Sequence, residues 1–167
     1  MDILANEPYS VLFFSYRWTK VFHCTWGVNL PSQCKVASEE RFSMANGVTI
    51  SPDRKTVFVN DPLEMKITAL SRNVANGELV KLYDIKLPTL VDNIEYDDDA
   101  DEIILGTIIP GGMAVLSKTG SKDHWITKGV LPHDEKKLKQ ISAAARIRNS
   151  KIVLGSPFSE GILVCSN

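Results

Sequence analysis

The chain has 167 residues and almost balanced charge, with 19 Lys and Arg against 20 Asp and Glu. This length allows a buried core without metal or disulfide support. Hydrophobic residues make up 44% of the chain, which excludes wholesale disorder. The net charge of -1 excludes a general electrostatic attraction to nucleic acid or to anionic membranes.

The sequence gives no sign of a membrane span or a leader. No apolar run approaches the roughly 20 residues of a spanning helix. The first ten residues contain the acids Asp2 and Glu7 and no basic residue. We therefore expect no secretory signal in this stretch, and the compartment stays open.

Strand-sized runs of apolar and β-branched residues recur along the chain, separated by turn residues. The predicted strands are, in chain order, Val11–Ser15, Val48–Ser51, Thr56–Val59, Lys66–Leu70, Leu79–Ile85, Ile103–Leu105, Ala114–Ser117, Lys151–Leu154 and Ile162–Cys165. Asn76-Gly77 predicts a hairpin with a type I′ turn, in which both central residues have positive φ. Only Asp134–Ile141 has helical composition, within a long polar connection from Lys118 to Gln140. We predict an all-β fold.

Three segments of the chain share one pattern. Each has a polar residue, an apolar alternation, a polar turn and then three apolar residues. The triplets are Val57–Val59, Ile103–Leu105 and Ile152–Leu154, and they begin 46 and 49 residues apart. Short strands repeating at about 40–50 residues are typical of β-propeller blades.

The length does not fit a closed ring. At roughly 47 residues per unit the chain holds about three and a half blades, whereas propellers close with about four to eight. We therefore predict three repeated antiparallel sheets in an incomplete ring, from a fragment of a longer protein. Open sheet edges favour pairing, so we expect self-association of the chain.

Two motifs carry a resemblance to a known family. Phe42–Asp61 contains A-N-G followed by S-P-D, and Leu87–Thr107 contains L-V-D-N-I about 45 residues later. This pair, together with the ending K-I-V-L-G and the near-terminal Cys165, resembles the paraoxonase/arylesterase family over Val36 to Asn167. The resemblance implies the C-terminal half of a six-bladed, calcium-dependent propeller hydrolase of aryl esters and lactones.

The same motifs supply calcium ligands in that family. The resemblance carries this role to Asn46 of the first motif and to Asp92 and Asn93 of the second. Asn46 and Asn93 also occupy equivalent repeat positions, 47 residues apart, and equivalent positions in consecutive blades approach the same axis. Two amides and one carboxylate suit calcium, which takes about six to eight oxygen ligands. The alternative is that these residues are ordinary turn residues.

The resemblance also implies a substrate pocket in this part of the propeller and catalytic histidines in the other part. Met44 stands where the family has an aromatic pocket wall, and Phe158 is a second candidate for that wall. The family's catalytic histidine dyad belongs to the half of the propeller that this sequence does not match, so no catalytic residue is assigned. We accordingly expect the chain alone to be a weak esterase.

Two other functions remain open at this point. One is a non-catalytic propeller with a binding or structural role. The other is a related lactonase or strictosidine-synthase-like propeller, which differs in metal ligands. Calcium-dependent stability and aryl ester turnover separate the first alternative from a hydrolase. The expected partner is a small-molecule ester or lactone substrate, and nucleic acid is not expected.

The three cysteines leave the disulfide state undecided, because an odd number cannot all pair within one chain. The resemblance implies that Cys165 pairs with a cysteine near the start of the full-length protein. A disulfide between Cys24 and Cys34 is compatible with the sequence but is not indicated by it.

Overall fold

A computed structural model describes residues 2–5, 18–27, 30–109, 111–120, 124–132, 138, 140–147 and 151–165. These residues form strands, turns and bends, and none of them belongs to a helix that could cross a membrane. The strands are β1 (Asp2–Ala5), β2 (Lys20–Gly27), β3 (Leu30–Val36), β4 (Val48–Ile50), β5 (Thr56–Asp61), β6 (Lys66–Arg72), β7 (Leu79–Lys86), β8 (Leu90–Asp97), β9 (Glu102–Ile109), β10 (Gly112–Lys118), β11 (Trp125–Pro132), β12 (Ala143–Ile147), β13 (Lys151–Gly155) and β14 (Ile162–Cys165).

The strands form four antiparallel sheets in which neighbours in sequence are neighbours in space. We call them sheet I (β1–β3), sheet II (β4–β7), sheet III (β8–β11) and sheet IV (β12–β14). Strand β8 contacts β4 and β5, and β12 contacts β8 and β9. Sheet III therefore packs on sheet II, and sheet IV packs on sheet III, while a shared apolar cluster joins sheets I and II. This is the arrangement of part of a β-propeller. The predicted all-β propeller class is confirmed.

Each apolar triplet marks the second strand of a sheet, and in β5 and β9 the triplet is buried on both faces. Val57 and Val59 pack into the cluster between sheets I and II, whereas Phe58 packs into the cluster between sheets II and III. In β9, Ile104 packs towards sheet IV, and Ile103 and Leu105 pack towards sheet II. Because side chains alternate across a strand, three consecutive apolar residues serve two interfaces.

The sheets have two distinct ends. We call the end where β4, β8 and β12 begin and where β5, β9 and β13 finish the near end, and the opposite end the far end. At the far end Arg146 of β12 crosses to sheet III, where it bonds Asp97 and, at 3.0 Å, Glu102. Glu102 also accepts bonds from Ser117 at 2.6 Å and Lys128 at 2.9 Å. Burial opposes its ionisation, but these three donors lower the pKa of Glu102 to about 2.

Eight of the nine predicted strands correspond to strands of the structure, namely β4 to β7, β9, β10, β13 and β14. Val11–Ser15 and most of Asp134–Ile141 lie outside the described residues. Within the predicted polar connection the structure has β11, whose residues Ile126 to Gly129 are exposed. An outer strand of this kind has no continuous apolar run and was missed for that reason. Sheet I adds one sheet to the three predicted repeats.

The hairpin at Asn76-Gly77 forms where the sequence predicts it, between β6 and β7, but with a different turn. The Gly77 amide donates to the Asn73 carbonyl at 2.7 Å, four residues back. Gly77 has a φ of 73°, whereas Asn76 is not among the residues of positive φ. A Cβ on Gly77 would stand 2.3 Å from the His23 ring of sheet I. Close packing of two sheets, together with the turn itself, accounts for this glycine.

The disulfide left open by the sequence joins Cys24 and Cys34. These residues are directly opposite each other on β2 and β3, with their Cα atoms 4.1 Å apart. Cys165, at the end of β14, is a free and half-buried thiol.

Candidate metal centre

Asp92 and Asn93 form a β-bulge near the start of β8. Val91 pairs with Thr107 and Ile94 pairs with Leu105, so the two residues between them face Gly106 alone. A bulge of two residues against one bends its strand and redirects side chains. The V-D-N-I motif is therefore an irregularity in the first strand of sheet III. Its two polar residues, Asp92 and Asn93, lie at the near end.

Asn46 reaches this bulge from the neighbouring sheet. Its backbone amide donates to the Asn60 carbonyl at 3.0 Å, which extends the pairing of β4 and β5 by one step. Its side-chain nitrogen donates to Oδ1 of Asp92. Two of the three predicted ligands thus contact each other across sheets II and III, although they are 46 residues apart in sequence.

Gly47 permits this close approach. A Cβ on Gly47 would stand 2.8 Å from the Ile94 nitrogen and 3.0 Å from the Asn93 Cα. The backbones of sheets II and III therefore meet without a side chain between them. The glycine of the A-N-G motif is a packing requirement that holds Asn46 against the bulge.

Asn93, the third predicted ligand, is held from the other side by sheet IV. Its backbone amide and its side-chain nitrogen both donate to the Ser142 carbonyl, at 3.0 and 3.1 Å. These bonds use the nitrogen of the Asn93 amide and leave Oδ1 as the atom that a cation would use. Gly106 allows the arrangement, because a Cβ there would stand 2.5 Å from the same Ser142 oxygen.

Asn60, the next-to-last residue of β5, contacts the backbone of the bulge through its side chain. It is fully buried, and its side-chain nitrogen donates to the carbonyl oxygens of Val91 and Asp92, each at 2.8 Å. Among the described residues its Oδ1 is the buried side-chain polar atom that has no hydrogen-bond partner. A native structure rarely leaves such an atom unpaired.

Asp61, the next residue, holds the segment that leads to Asn46. Its carboxylate is fully buried and accepts the backbone amides of Ser43 at 2.7 Å, Met44 at 3.1 Å and Glu64 at 3.3 Å. Carboxylates that accept several backbone amides hold a loop firmly in one conformation. The loop before β4 is thus anchored to the end of β5.

The residues fit the chemistry of calcium. The group offers one carboxylate and two amide oxygens, and hard oxygen donors of this kind are what calcium prefers. Turning the Asn46 amide by half a rotation would present its oxygen beside Asp92 without a change of shape. Among the described residues no three His, Cys, Asp or Glu side chains group closely enough to hold a metal.

The predicted pocket residues lie at the same end of the sheets. Met44 is in the loop before β4, and Phe158 is in the turn between β13 and β14. Both are exposed, at 44% and 66%. Their role as pocket walls stays a prediction.

Asn60 and Asp61 lie within the first motif, but the motif by itself predicts no role for them. The signal for Asn60 lies in the repeat, since the residue after each apolar triplet is Asn60, Gly106 or Gly155. A buried amide in a position otherwise occupied by glycine distinguishes sheet II from sheets III and IV.

Comparison with known proteins shows which family the chain is related to. The arylesterase family model matches residues 5–123, a range that contains both motifs. Serum paraoxonase/arylesterase 2 of Bos taurus is 35% identical over 108 residues, covering 63% of this chain and 28% of that protein. Human serum paraoxonase/arylesterase 1 is 26% identical over 174 residues, covering 95% of this chain and 48% of that protein. Serum paraoxonase/lactonase 3 of Oryctolagus cuniculus is 34% identical over 106 residues, or 64% of this chain and 28% of that protein.

Solved structures agree on the fold. A luciferin-regenerating enzyme superimposes with a TM-score of 0.61 at 11% identity, over 81% of this chain and 43% of that one. A candidate 6-phosphogluconolactonase from Bacteroides uniformis gives 0.54 at 12% identity, over 87% of this chain and 50% of that one. The chain thus spans half or less of the proteins named here. Family match, motifs and fold together establish that it belongs to the arylesterase family.

Proposed function

We propose that this chain carries the calcium-holding part of a hydrolase acting on aryl esters or lactones. The observation that carries the proposal is the contact between the Asn46 amide and the Asp92 carboxylate across two sheets. A bulge, two glycine contacts and two buried polar anchors all serve to bring these side chains together. A pair of ordinary turn residues needs no such support.

Asp92 supplies the only full negative charge of the proposed ligand set, and Asn46 and Asn93 supply amide oxygens. A calcium ion bound here would polarise an ester or lactone carbonyl and stabilise the charge that develops on its oxygen. The role of the chain would be to hold the three ligand oxygens on packed sheets, so that the site needs little reorganisation when the ion and the substrate bind. Met44 and Phe158 would offer apolar surface to an aryl or acyl group at the same end.

The substrate class rests on the relatives. They are named for arylesterase, paraoxonase and lactonase activities, and the chain belongs to their family. Aryl esters and lactones share a carbonyl that an oxygen-bound cation can polarise. The groups that activate water are not assigned to any residue of this chain.

Calcium titration by calorimetry tests the proposal on the full chain and on Asp92→Asn. The substitution keeps the shape and removes the charge, so we expect calcium affinity to fall by about tenfold or more. Asp99→Asn is the matched control, since Asp99 is exposed in the turn between β8 and β9 at the far end. Equal affinity in all three proteins would contradict the assignment of the ligands.

Turnover of phenyl acetate and of a simple lactone, with and without calcium, tests the reaction class. We expect calcium to raise any turnover by the full chain and Asp92→Asn to remove that increase. Calcium binding without any effect on either substrate would favour a non-catalytic propeller.

A further inference from the structure

We infer that Asn60 and Asp61 are positioning residues that set the distance between the two halves of the proposed metal centre. The inference rests on the proposed function, because the halves are Asn46 on one side and Asp92 on the other. Neither Asn60 nor Asp61 is offered as a ligand. Their work is to hold the two backbone segments that carry ligands.

The two residues act on opposite faces of β5. Side chains alternate along a strand, so Asn60 faces the same way as Phe58, towards sheet III. Asp61 faces the same way as Val57 and Val59, towards the segment before β4. Both side chains are fully buried. One dipeptide therefore reaches both segments from a single point in the core.

Asn60 holds the bulge by two bonds that only a donor can make. Both of its partners, the carbonyls of Val91 and Asp92, are acceptors at 2.8 Å. The side-chain nitrogen must therefore face them, and the oxygen must point away. The bonds flank the backbone that carries Asp92, and they fix it relative to β5. Among the described residues, the Oδ1 of Asn60 has no hydrogen-bond partner.

Asp61 holds the other half by accepting amides. Ser43 and Met44 donate to its two carboxylate oxygens, one each, just before Asn46. Glu64 donates at 3.3 Å, and its own side chain accepts from the Ser43 hydroxyl at 2.7 Å. Connected hydrogen bonds therefore hold Ser43 and Met44, in the loop before β4, to Asp61 and Glu64. Asn46 follows two residues after Met44.

The test compares calcium affinity with the stability of the calcium-free protein. We would prepare Asn60→Ala and Asp61→Asn as full chains, with Arg146→Met as the control. Arg146 also joins two sheets through side-chain bonds, but at the far end. We expect the two near-end variants to lose about tenfold or more in calcium affinity, as supporting residues of metal sites commonly do. Arg146→Met should lose thermal stability to a similar or greater extent and keep its affinity.

Amide hydrogen exchange in calcium-free protein provides a second, independent readout. Asn60→Ala should speed exchange at residues 91–94, and Asp61→Asn should speed exchange at residues 43–46. If either variant does not fold, Asn60→Ser, which keeps a donor, and Asp61→Glu, which keeps a carboxylate, take its place with smaller expected effects.

The outcomes separate this inference from the proposed function. Should the unaltered chain bind no calcium, the proposed function is wrong, and the exchange experiment alone decides whether the dipeptide holds the two segments. Should the unaltered chain bind calcium and both variants bind it equally well, the positioning inference is overturned. An equal loss of affinity in Arg146→Met would also overturn it, because general destabilisation would then be the cause.

Discussion

The near and far ends of the sheets are joined by different chemistry. At the near end, sheets II, III and IV meet mainly through backbone atoms and amide groups, at Gly47, Asn60, Asn93 and Gly106. The Asn46 amide also contacts the Asp92 carboxylate there. At the far end, sheets III and IV meet through ionised groups, with Arg146 placed between Asp97 and Glu102.

The difference follows from what each end has to do. Backbone contacts have short range and leave little freedom, so they hold the near end to one geometry. Ion pairs between long side chains tolerate small shifts, and they satisfy a charge that burial would otherwise penalise. The proposed metal centre, which would hold several oxygens around one cation, needs the first kind of contact. The far end carries no proposed site.

The largest expected effect comes from Gly106→Ala. Its Cβ would stand 2.5 Å from the Ser142 oxygen and 2.8 Å from the Ala143 nitrogen. Backbone atoms cannot rotate away, so we expect a loss of about 3 kcal/mol in the free energy of unfolding. Chemical denaturation measures it.

Gly155→Ala is the matched control, because Gly155 follows its triplet in the same way. Within the part of the chain that the structure describes, its Cβ would meet the Ala143 Cβ at 3.9 Å and nothing closer. A loss of stability in Gly155→Ala as large as in Gly106→Ala would show that the glycines of the repeat act through strand conformation and not through contact between sheets.

Glu102→Gln tests the far end and should cost about 2 kcal/mol near neutral pH. The pKa of Glu102 is lowered from 4.5 to about 2. Its carboxylate therefore stabilises the fold above pH 4.5, and this contribution disappears as the pH falls towards 2. In denaturation experiments, the difference in free energy of unfolding between the unaltered chain and Glu102→Gln should shrink as the pH falls from 4.5 towards 2.

Glu160→Gln, at an exposed turn position, provides the comparison for Glu102→Gln. It should change the free energy of unfolding by less than Glu102→Gln does near neutral pH, because Glu160 is exposed. A stability difference for Glu102→Gln that stays constant from pH 6 to pH 2 would mean that the charge of Glu102 contributes nothing.

Lys118→Met should have the smallest effect, about 0.5–1 kcal/mol. The ammonium group lies 3.0 Å from both the Tyr96 hydroxyl and Asp101, and 5.2 Å from the centre of the Trp125 ring. Burial and the bond to Asp101 raise the pKa of Tyr96 to about 12. The Lys118 ammonium group opposes this rise, so its loss should raise the pKa of Tyr96 further. Absorbance at alkaline pH measures the titration. Lys151→Met, at an exposed residue, should leave it unchanged.

The sequence predicted those parts of the fold that depend on local pattern. Strands β5 and β9 are predictable because burial on both faces forces consecutive apolar residues, such as Ile103–Leu105. Strand β11 could not be found in this way, because four of its residues are exposed. The disulfide between Cys24 and Cys34 depends on the register of β2 and β3, which the sequence alone does not give.

The candidate site divides in the same manner. Asn46, Asp92 and Asn93 could be proposed from the family motifs, whereas Asn60 and Asp61 could not. Their importance arises from the bulge opposite Gly106 and from partners more than 15 residues away. The repeat singles out the position of Asn60, but it does not give the partners of Asn60 or Asp61.

The central claim is that one cation binds where sheets II and III meet at the near end. Anomalous diffraction from crystals grown with calcium tests it most directly. The account predicts a single peak within about 2.3–2.6 Å of oxygen atoms of Asn46, Asp92 and Asn93. A map without a peak there at saturating calcium, or side-chain oxygens of the three residues more than about 6 Å apart where ligation requires closer approach, would contradict it.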